Sequence, residues 1–229
     1  ELRGYQSEGV KYMQWMTDRN FNVILADEMG LGKTVQLLAL LASRKLRSSP
    51  PALIVCPASL VANWEREAHK FVPGFRVAAP AGHDRADMFK EVNEYDLVIL
   101  SYAAARLSAD KLKHCNFSFL VLDEAQHIKN PGSSNAKNCK SIAAAHRIVL
   151  SGTPLENSPE DLWSIMDFLQ PGMLGTLPAF RRAYSNLRED PALQQDLAAR
   201  IGPFIKRRTK AQVATDLPPK SELALYCEM

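Results

Sequence analysis

The chain has 229 residues, 46% hydrophobic and 23% charged, an ordinary globular composition with enough length for one large domain or two small ones. No apolar run approaches the roughly 20 residues of a membrane-spanning helix, which excludes a helical membrane protein over this stretch. A formal net charge of +3 is too small to argue nucleic-acid binding by itself, and the four cysteines (56, 115, 139 and 227) include no C-x-x-C pair, which leaves zinc and redox-motif readings weak.

In chain order, short apolar runs at 22–27, 52–57, 75–80, 95–102, 117–124 and 147–154 read as strands. Several are apolar at consecutive positions, as expected of strands covered on both faces. Helical patterns lie between them. Residues 34–47 carry Leu38 and Leu41 on one face, and Ser59 is the expected N-cap of a helix bearing Leu60, Trp64, Ala68 and Phe71. Strand alternating with helix predicts an α/β domain with a mainly parallel central sheet and helices on both faces. After Pro154 the strands are expected to stop, and residues 159–217 read as helices broken at Pro171-Gly172, Pro178, Pro191 and Gly202-Pro203. Between 181 and 220 there are nine Lys and Arg against four Asp and Glu, a basic segment that suits either phosphates or a solvated helical face. The free thiols suggest an intracellular, reducing compartment. The chain opens on Glu1 and reads as part of a longer polypeptide, so the lack of a targeting signal carries no weight.

The densest chemistry is "LADEMGLGKTVQ", residues 25–36. Gly30 and Gly32 sit between a strand and a helix, where glycine lets the backbone turn its N–H groups inward. With the helix N-terminus those groups define an anion site. Lys33 adds a full charge for phosphate, and Thr34 offers a hydroxyl to Mg²⁺. The strict P-loop pattern asks for glycine at position 27, where this chain has Asp27. The second motif is "FLVLDEAQH", which places Asp123 and Glu124 at the end of an apolar strand about 90 residues downstream. A P-loop enzyme needs a carboxylate near magnesium there, for which Asp123 fits, and a base for the attacking water, for which Glu124 fits. Trp64 and Trp163 fall at helical core spacing and read as packing. His127 reads as a polar interface residue rather than a metal ligand. Arg207 and Arg208 suit phosphate, another lobe or a solvated face.

"DEMGLGKTVQ", "LDEAQHIKNP" and "LSGTPLENSPEDLWSIMDFLQP" resemble motifs I, II and III of the Swi/Snf-like ATPases of helicase superfamily two. "LRGYQSEGVKYM", "LIVCPASLVANWERE", "LVILSY" and "FIKRRTKAQVATDLPPK" are similar to that family's adenine-contacting element, motifs Ia and Ib, and the segment closing its first motor lobe. "DEMGLGKT" is the family's own P-loop variant, which accounts for Asp27. The resemblance runs in order from Leu2 to about Lys220 and implies a RecA-like ATP-binding core over 1–154, a helical extension over 155–220, and the start of a linker to a second lobe over 221–229. It implies ATP and Mg²⁺ as ligands. Gln6 would read the adenine edge, and the turn Asp27, Glu28, Met29, Gly30, Leu31, Gly32, Lys33 and Thr34 would hold the nucleotide. Thr34 and Asp123 would hold magnesium, with Glu124 as base. Pro57, Ala58, Ser59, Ser101 and Tyr102 would lie along a nucleic-acid backbone, helped by Lys129 and Asn130, while Ser151, Gly152 and Thr153 would couple nucleotide state to nucleic acid. The implied partners are double-stranded DNA and a second RecA-like lobe of the same polypeptide, with no membrane. That lobe would supply the arginine fingers, so this chain alone would be an incomplete motor. The wording of motifs II and III favours a prokaryotic member, in cytoplasm or nucleoid, with the nucleus as the alternative. Two rival readings stay open: an RNA helicase of the same superfamily, and a nucleotide-gated interaction module without turnover.

Overall fold

Alternate residues along each strand enter two different apolar layers, and this explains the consecutive apolar runs. The computed structural model describes residues 1–44, 50–80, 85–152 and 158–216. Among them the strands are β1 Val23–Leu25, β2 Ala52–Cys56, β3 Val77–Ala78, β4 Leu97–Ser101, β5 Asn116–Asp123, β6 Ala143–Leu150 and β7 Ile205–Lys206. They form one sheet in the order β3-β4-β2-β5-β6-β1-β7, parallel at every pairing. The helices are α1 Gly4–Thr17, α2 Lys33–Ser43, α3 Ala58–Phe71, α4 Arg85–Met88, α5 Tyr102–Leu107, α6 Ala109–Leu112, α7 Ser134–Ser141, α8 Pro159–Leu169, α9 Leu177–Ala183 and α10 Pro191–Ile201. None of the described helices is long and apolar enough to cross a membrane.

One layer takes Ala52, Ile54 and Cys56 of β2 with Met13, Leu37, Leu41 and Trp64 from α1, α2 and α3. The other takes Leu53 and Val55 of the same strand with side chains of α5 to α10, among them Trp163, Phe168 and Phe180. Each fully buried Leu or Ile contributes about 1.5–3 kcal/mol, so the two layers hold the sheet between them. Helix α2 buries Leu37, Leu38, Leu40 and Leu41 completely, twice the pair read from the sequence, because it packs against α1 and α3 as well as the sheet.

Several boundaries need correcting. Strand β1 has three residues rather than six, since the chain leaves the sheet early to enter the glycine turn. Strand β6 starts at Ala143, ahead of the expected 147, and the end of that expected run, 153–154, lies outside the described residues. Helix α2 ends at Ser43, and 45–47 are also outside. Pro57, not Ser59, occupies the N-cap of α3, so Ser59 lies inside the first turn. Pro178 and Pro191 stand within the first two positions of α9 and α10, where a missing N–H costs nothing: they start helices rather than interrupt one. Strands do not stop after Pro154: β7 pairs with β1, setting Ile205 opposite Ile24 and Lys206 opposite Leu25. Arg147 in β6 donates to the carbonyls of Phe168 (2.7 Å), Ile142 (3.1 Å) and Lys140 (3.2 Å), and so ties α8 back to the sheet.

Candidate active site

The carboxyl ends of β1, β5 and β6 deliver the sequence-predicted residues to one edge of the sheet. After β1 the turn is shaped by Gly30 at φ +87° and Gly32 at φ +75°, a region in which any other residue type is strained. Lys33 opens α2, and its Nζ donates to the Asp27 carbonyl at 2.8 Å. Burial lowers the pKa of this lysine. The charges of Asp123, Glu124 and Asp27 oppose that shift, so the lysine and both motif II carboxylates share one field. Burial raises the pKa of Asp123 above the usual carboxylate range, helped by Glu124, while the Trp64 N–H, the Glu124 backbone N–H and Lys33 pull it back. Glu124 follows at φ +51°, a backbone conformation that costs a non-glycine residue about 1–3 kcal/mol and recurs at functional turns. Gly152 completes the edge: a Cβ there would stand 3.2 Å from Lys33 Nζ and 2.7 Å from Met29 Cγ, so a larger residue would have to push the Met29 side chain aside.

Asp27 behaves differently from a nucleotide contact. It is completely buried, with Arg208 Nε on Oδ1 at 2.9 Å, Arg208 Nη2 on Oδ2, and Gln36 Nε2 on Oδ2 at 3.1 Å. Arg208 also donates to Gln36 Oε1 at 2.9 Å and to the Tyr5 carbonyl, so it faces neither solvent nor a free phosphate. This network explains Gly9, where a Cβ would fall 1.9 Å from Gln36 Oε1. The segment after β7 runs along the turn: Ala26 N donates to the Lys206 carbonyl (2.7 Å), Glu28 N to the Arg208 carbonyl (2.9 Å), and Lys210 N to Glu28 Oε2 (2.7 Å). The Glu28 carboxylate thus holds a neighbouring backbone. The Leu31 side chain is buried against Tyr5 and Val213, leaving only its backbone at the turn. Gln6 reaches the Leu31 carbonyl at 3.3 Å and accepts from Arg3 N at 3.0 Å; both ends of its amide are engaged, so reading adenine requires exchanging one of these bonds.

Thr34 and Asp123 supply one hydroxyl and one carboxylate, hard oxygen donors of the kind Mg²⁺ takes when phosphates and water complete its shell. Among the described residues no group of three or more His, Cys, Asp or Glu stands together as a metal cage.

A second feature lies beside the first. A groove of about 450 Å³ is lined by Pro57, Ala58, Ser101 and Tyr102, four residues expected along a nucleic-acid backbone, and also by Ala103, Arg106, His127, Ser134 and Asn135. Ser59 is not among these lining residues. Tyr102 is only 5% exposed, with its hydroxyl on the Asp123 carbonyl at 2.9 Å, so it forms the groove floor rather than a free surface contact. Ser101 caps α5 by accepting from Ala104 N at 3.0 Å. Lys129 faces Asp161 at 4.0 Å, and Asn130 closes its own turn through Gly132 N at 2.9 Å, so both have structural partners already. Ser151 is buried with its N–H on the Leu25 carbonyl at 3.2 Å, and Thr153 lies outside the described residues.

The profile of the SNF2-related domain matches residues 5–229. The chain is 36% identical, over its whole length, to the TATA-binding protein-associated factor MOT1 of Saccharomyces cerevisiae, and 38% identical to an uncharacterized ATP-dependent helicase of Mycoplasma pneumoniae. It spans 14% and 22% of those proteins. Among solved structures, the Sulfolobus solfataricus SWI2/SNF2 ATPase core in complex with dsDNA superposes with a TM-score of 0.88 at 40% identity, covering 95% of this chain and 47% of that one. The fold is therefore RecA-like, and similarity at this level along the full chain places it in the SNF2-related domain family, the Swi2/Snf2 ATPases of helicase superfamily two.

Proposed function

We propose that this chain is the ATP-binding N-terminal motor lobe of a double-stranded-DNA translocase, binding Mg-ATP at the P-loop and the DNA backbone along the adjacent groove. The observation that carries the reading is the shared electrostatic environment of Lys33, Asp123 and Glu124, residues from two distant motifs that follow the carboxyl ends of parallel strands in one sheet. Lys33 would neutralise the β- and γ-phosphates, and the backbone N–H groups of 30–34 would cradle them. Thr34 and Asp123 would hold Mg²⁺, which supplies charge neutralisation at the phosphates. Glu124 would orient the attacking water and take its proton. Arginines from a second RecA-like lobe would complete the site, as the family resemblance implies.

Isothermal titration with Mg-ADP tests the nucleotide half. Lys33→Ala is expected to weaken binding by roughly 100-fold or more, since charge-assisted hydrogen bonds are worth about 1.5–3 kcal/mol each. Stability should move by only about 1 kcal/mol, because the folded chain loses one hydrogen bond, to Asp27. Unchanged affinity refutes the P-loop assignment, and a collapse of stability makes the lysine structural.

For the groove, duplex affinity should be micromolar or weaker at physiological salt, with little sequence preference. Arg106 is exposed on the groove wall. Arg106→Ala should lower affinity equally for all sequences and flatten the slope of log K against log salt by about 0.9. Fluorescence anisotropy over a salt series reads both quantities; a salt-insensitive or strongly sequence-selective complex contradicts this reading.

A further inference from the structure

Asp123 is held from two sides, by side chains on the two helices whose N-terminal ends line the groove. Trp64 Nε1 donates to Asp123 Oδ2 at 2.9 Å. Trp64 is 1% exposed on α3, the helix whose N-cap Pro57 and first residue Ala58 line the groove. From the groove floor, the Tyr102 hydroxyl donates to the Asp123 carbonyl at 2.9 Å. Tyr102 begins α5, and its ring stacks on His127, 4.7 Å between centroids at 27°. One tether holds the carboxylate and the other the backbone of the same residue.

We infer that Trp64 and Tyr102 are positioning residues that aim the Asp123 carboxylate and carry occupancy of the groove to it. The inference rests on the Mg-nucleotide and nucleic-acid reading above. Its physical basis is the stiffness of both links. Indole and phenol rings locked in a close-packed interior cannot absorb a displacement of the elements that carry them. A phosphate backbone seated on Pro57, Ala58 and Ser101 presses on the starts of α3 and α5, so the shift reaches Asp123 through its two hydrogen bonds. Mg²⁺ demands near-ideal octahedral geometry at about 2.0–2.1 Å, so a shift of a fraction of an ångström in one ligand changes how well the ion is held. Partners that orient a metal ligand typically contribute about 10- to 100-fold in metal affinity.

The test compares ADP affinity in Mg²⁺ with ADP affinity in EDTA, with and without a short DNA duplex. In the unaltered chain Mg²⁺ is expected to strengthen ADP binding and the duplex to change that enhancement. Trp64→Phe keeps the ring and removes the N–H; it is expected to cut the Mg²⁺ enhancement about tenfold while leaving affinity in EDTA unchanged. Tyr102→Phe, measured at saturating duplex, is expected to abolish the effect of the duplex on Mg-ADP binding. A purely structural role lowers both ADP affinities together, in step with the unfolding midpoint, and overturns the inference. An unaltered chain that binds ADP no better with Mg²⁺ than with EDTA overturns the underlying reading and this inference with it. Clear Mg²⁺ enhancement that survives Trp64→Phe within twofold overturns the inference alone. Should Trp64→Phe fail to fold, the indole N–H resonance of Trp64 in the unaltered chain, assigned by elimination with Trp15→Phe and Trp163→Phe, decides instead. It is expected to move on adding Mg-ADP and not with ADP in EDTA, and to move again with the duplex. A resonance that stays still in all three overturns the inference.

Discussion

Phosphate release by the isolated chain is expected to run about 10³- to 10⁵-fold below that of the same sequence joined to a second RecA-like lobe, a barrier difference of about 4–7 kcal/mol. The chain supplies Lys33, Thr34, Asp123 and Glu124 but corresponds to only 47% of the Sulfolobus ATPase core it superposes on. Arg208, which reaches the P-loop, is committed to Asp27 and cannot serve a transition state. Duplex DNA should not stimulate the isolated chain, whereas adding the second lobe should restore DNA-dependent turnover. In that joined form Glu124→Gln should remove turnover and spare ATP binding, since the amide keeps the shape but cannot take a proton. A coupled phosphate-release assay checks each step. Robust duplex-stimulated turnover by the isolated chain, at a purity that excludes contaminating ATPases, would show that no second lobe is needed.

Arg208→Ala is expected to destabilise the fold by ~3–5 kcal/mol, because it strands a carboxylate that is 0% exposed. Against a total stability of about 5–15 kcal/mol, and with each kcal/mol worth about 2–4 °C in a chain of this size, the midpoint should fall by roughly 6–20 °C. Asp27→Ala should cost a similar amount by stranding the guanidinium instead. Replacing both together, Asp27→Leu with Arg208→Met, should recover most of the loss, since a buried pair exchanged for apolar groups of similar volume is often neutral. The coupling from the double-mutant cycle made of Asp27→Leu, Arg208→Met and their combination, measured by urea denaturation, should exceed ~2 kcal/mol. Additive effects would mean that the pair is screened and contributes little.

The P-loop was legible because its chemistry is local: two glycines, a lysine and a threonine within five positions impose their own turn wherever they occur. The parallel sheet was legible for a related reason, since strands covered on both faces are apolar without alternation. The partner of Asp27 was not legible. It lies 181 residues away, and nothing in "KRRTK" distinguishes an arginine that turns inward from its exposed neighbours. Trp64 showed its packing in the helical period, but the direction of its N–H depends on where β5 ends. Strand β7 escaped notice because two residues in a basic segment carry no period at all. Sequence could have hinted at Gly9, a glycine inside a helix that demands a close neighbour, without naming Gln36 as that neighbour.

Strand β7 has a practical consequence for where this domain can be cut. Without Ile205 and Lys206, β1 would become the outermost strand, leaving the N–H and carbonyl groups on one side of Ile24 and Leu25 unpaired next to the glycine turn. Bare edges of this kind recruit strands from other molecules. A chain terminated at α10 would therefore tend to self-associate through the strand that leads into the glycine turn. The shortest well-behaved expression product should run at least through Lys210, whose backbone closes on Glu28.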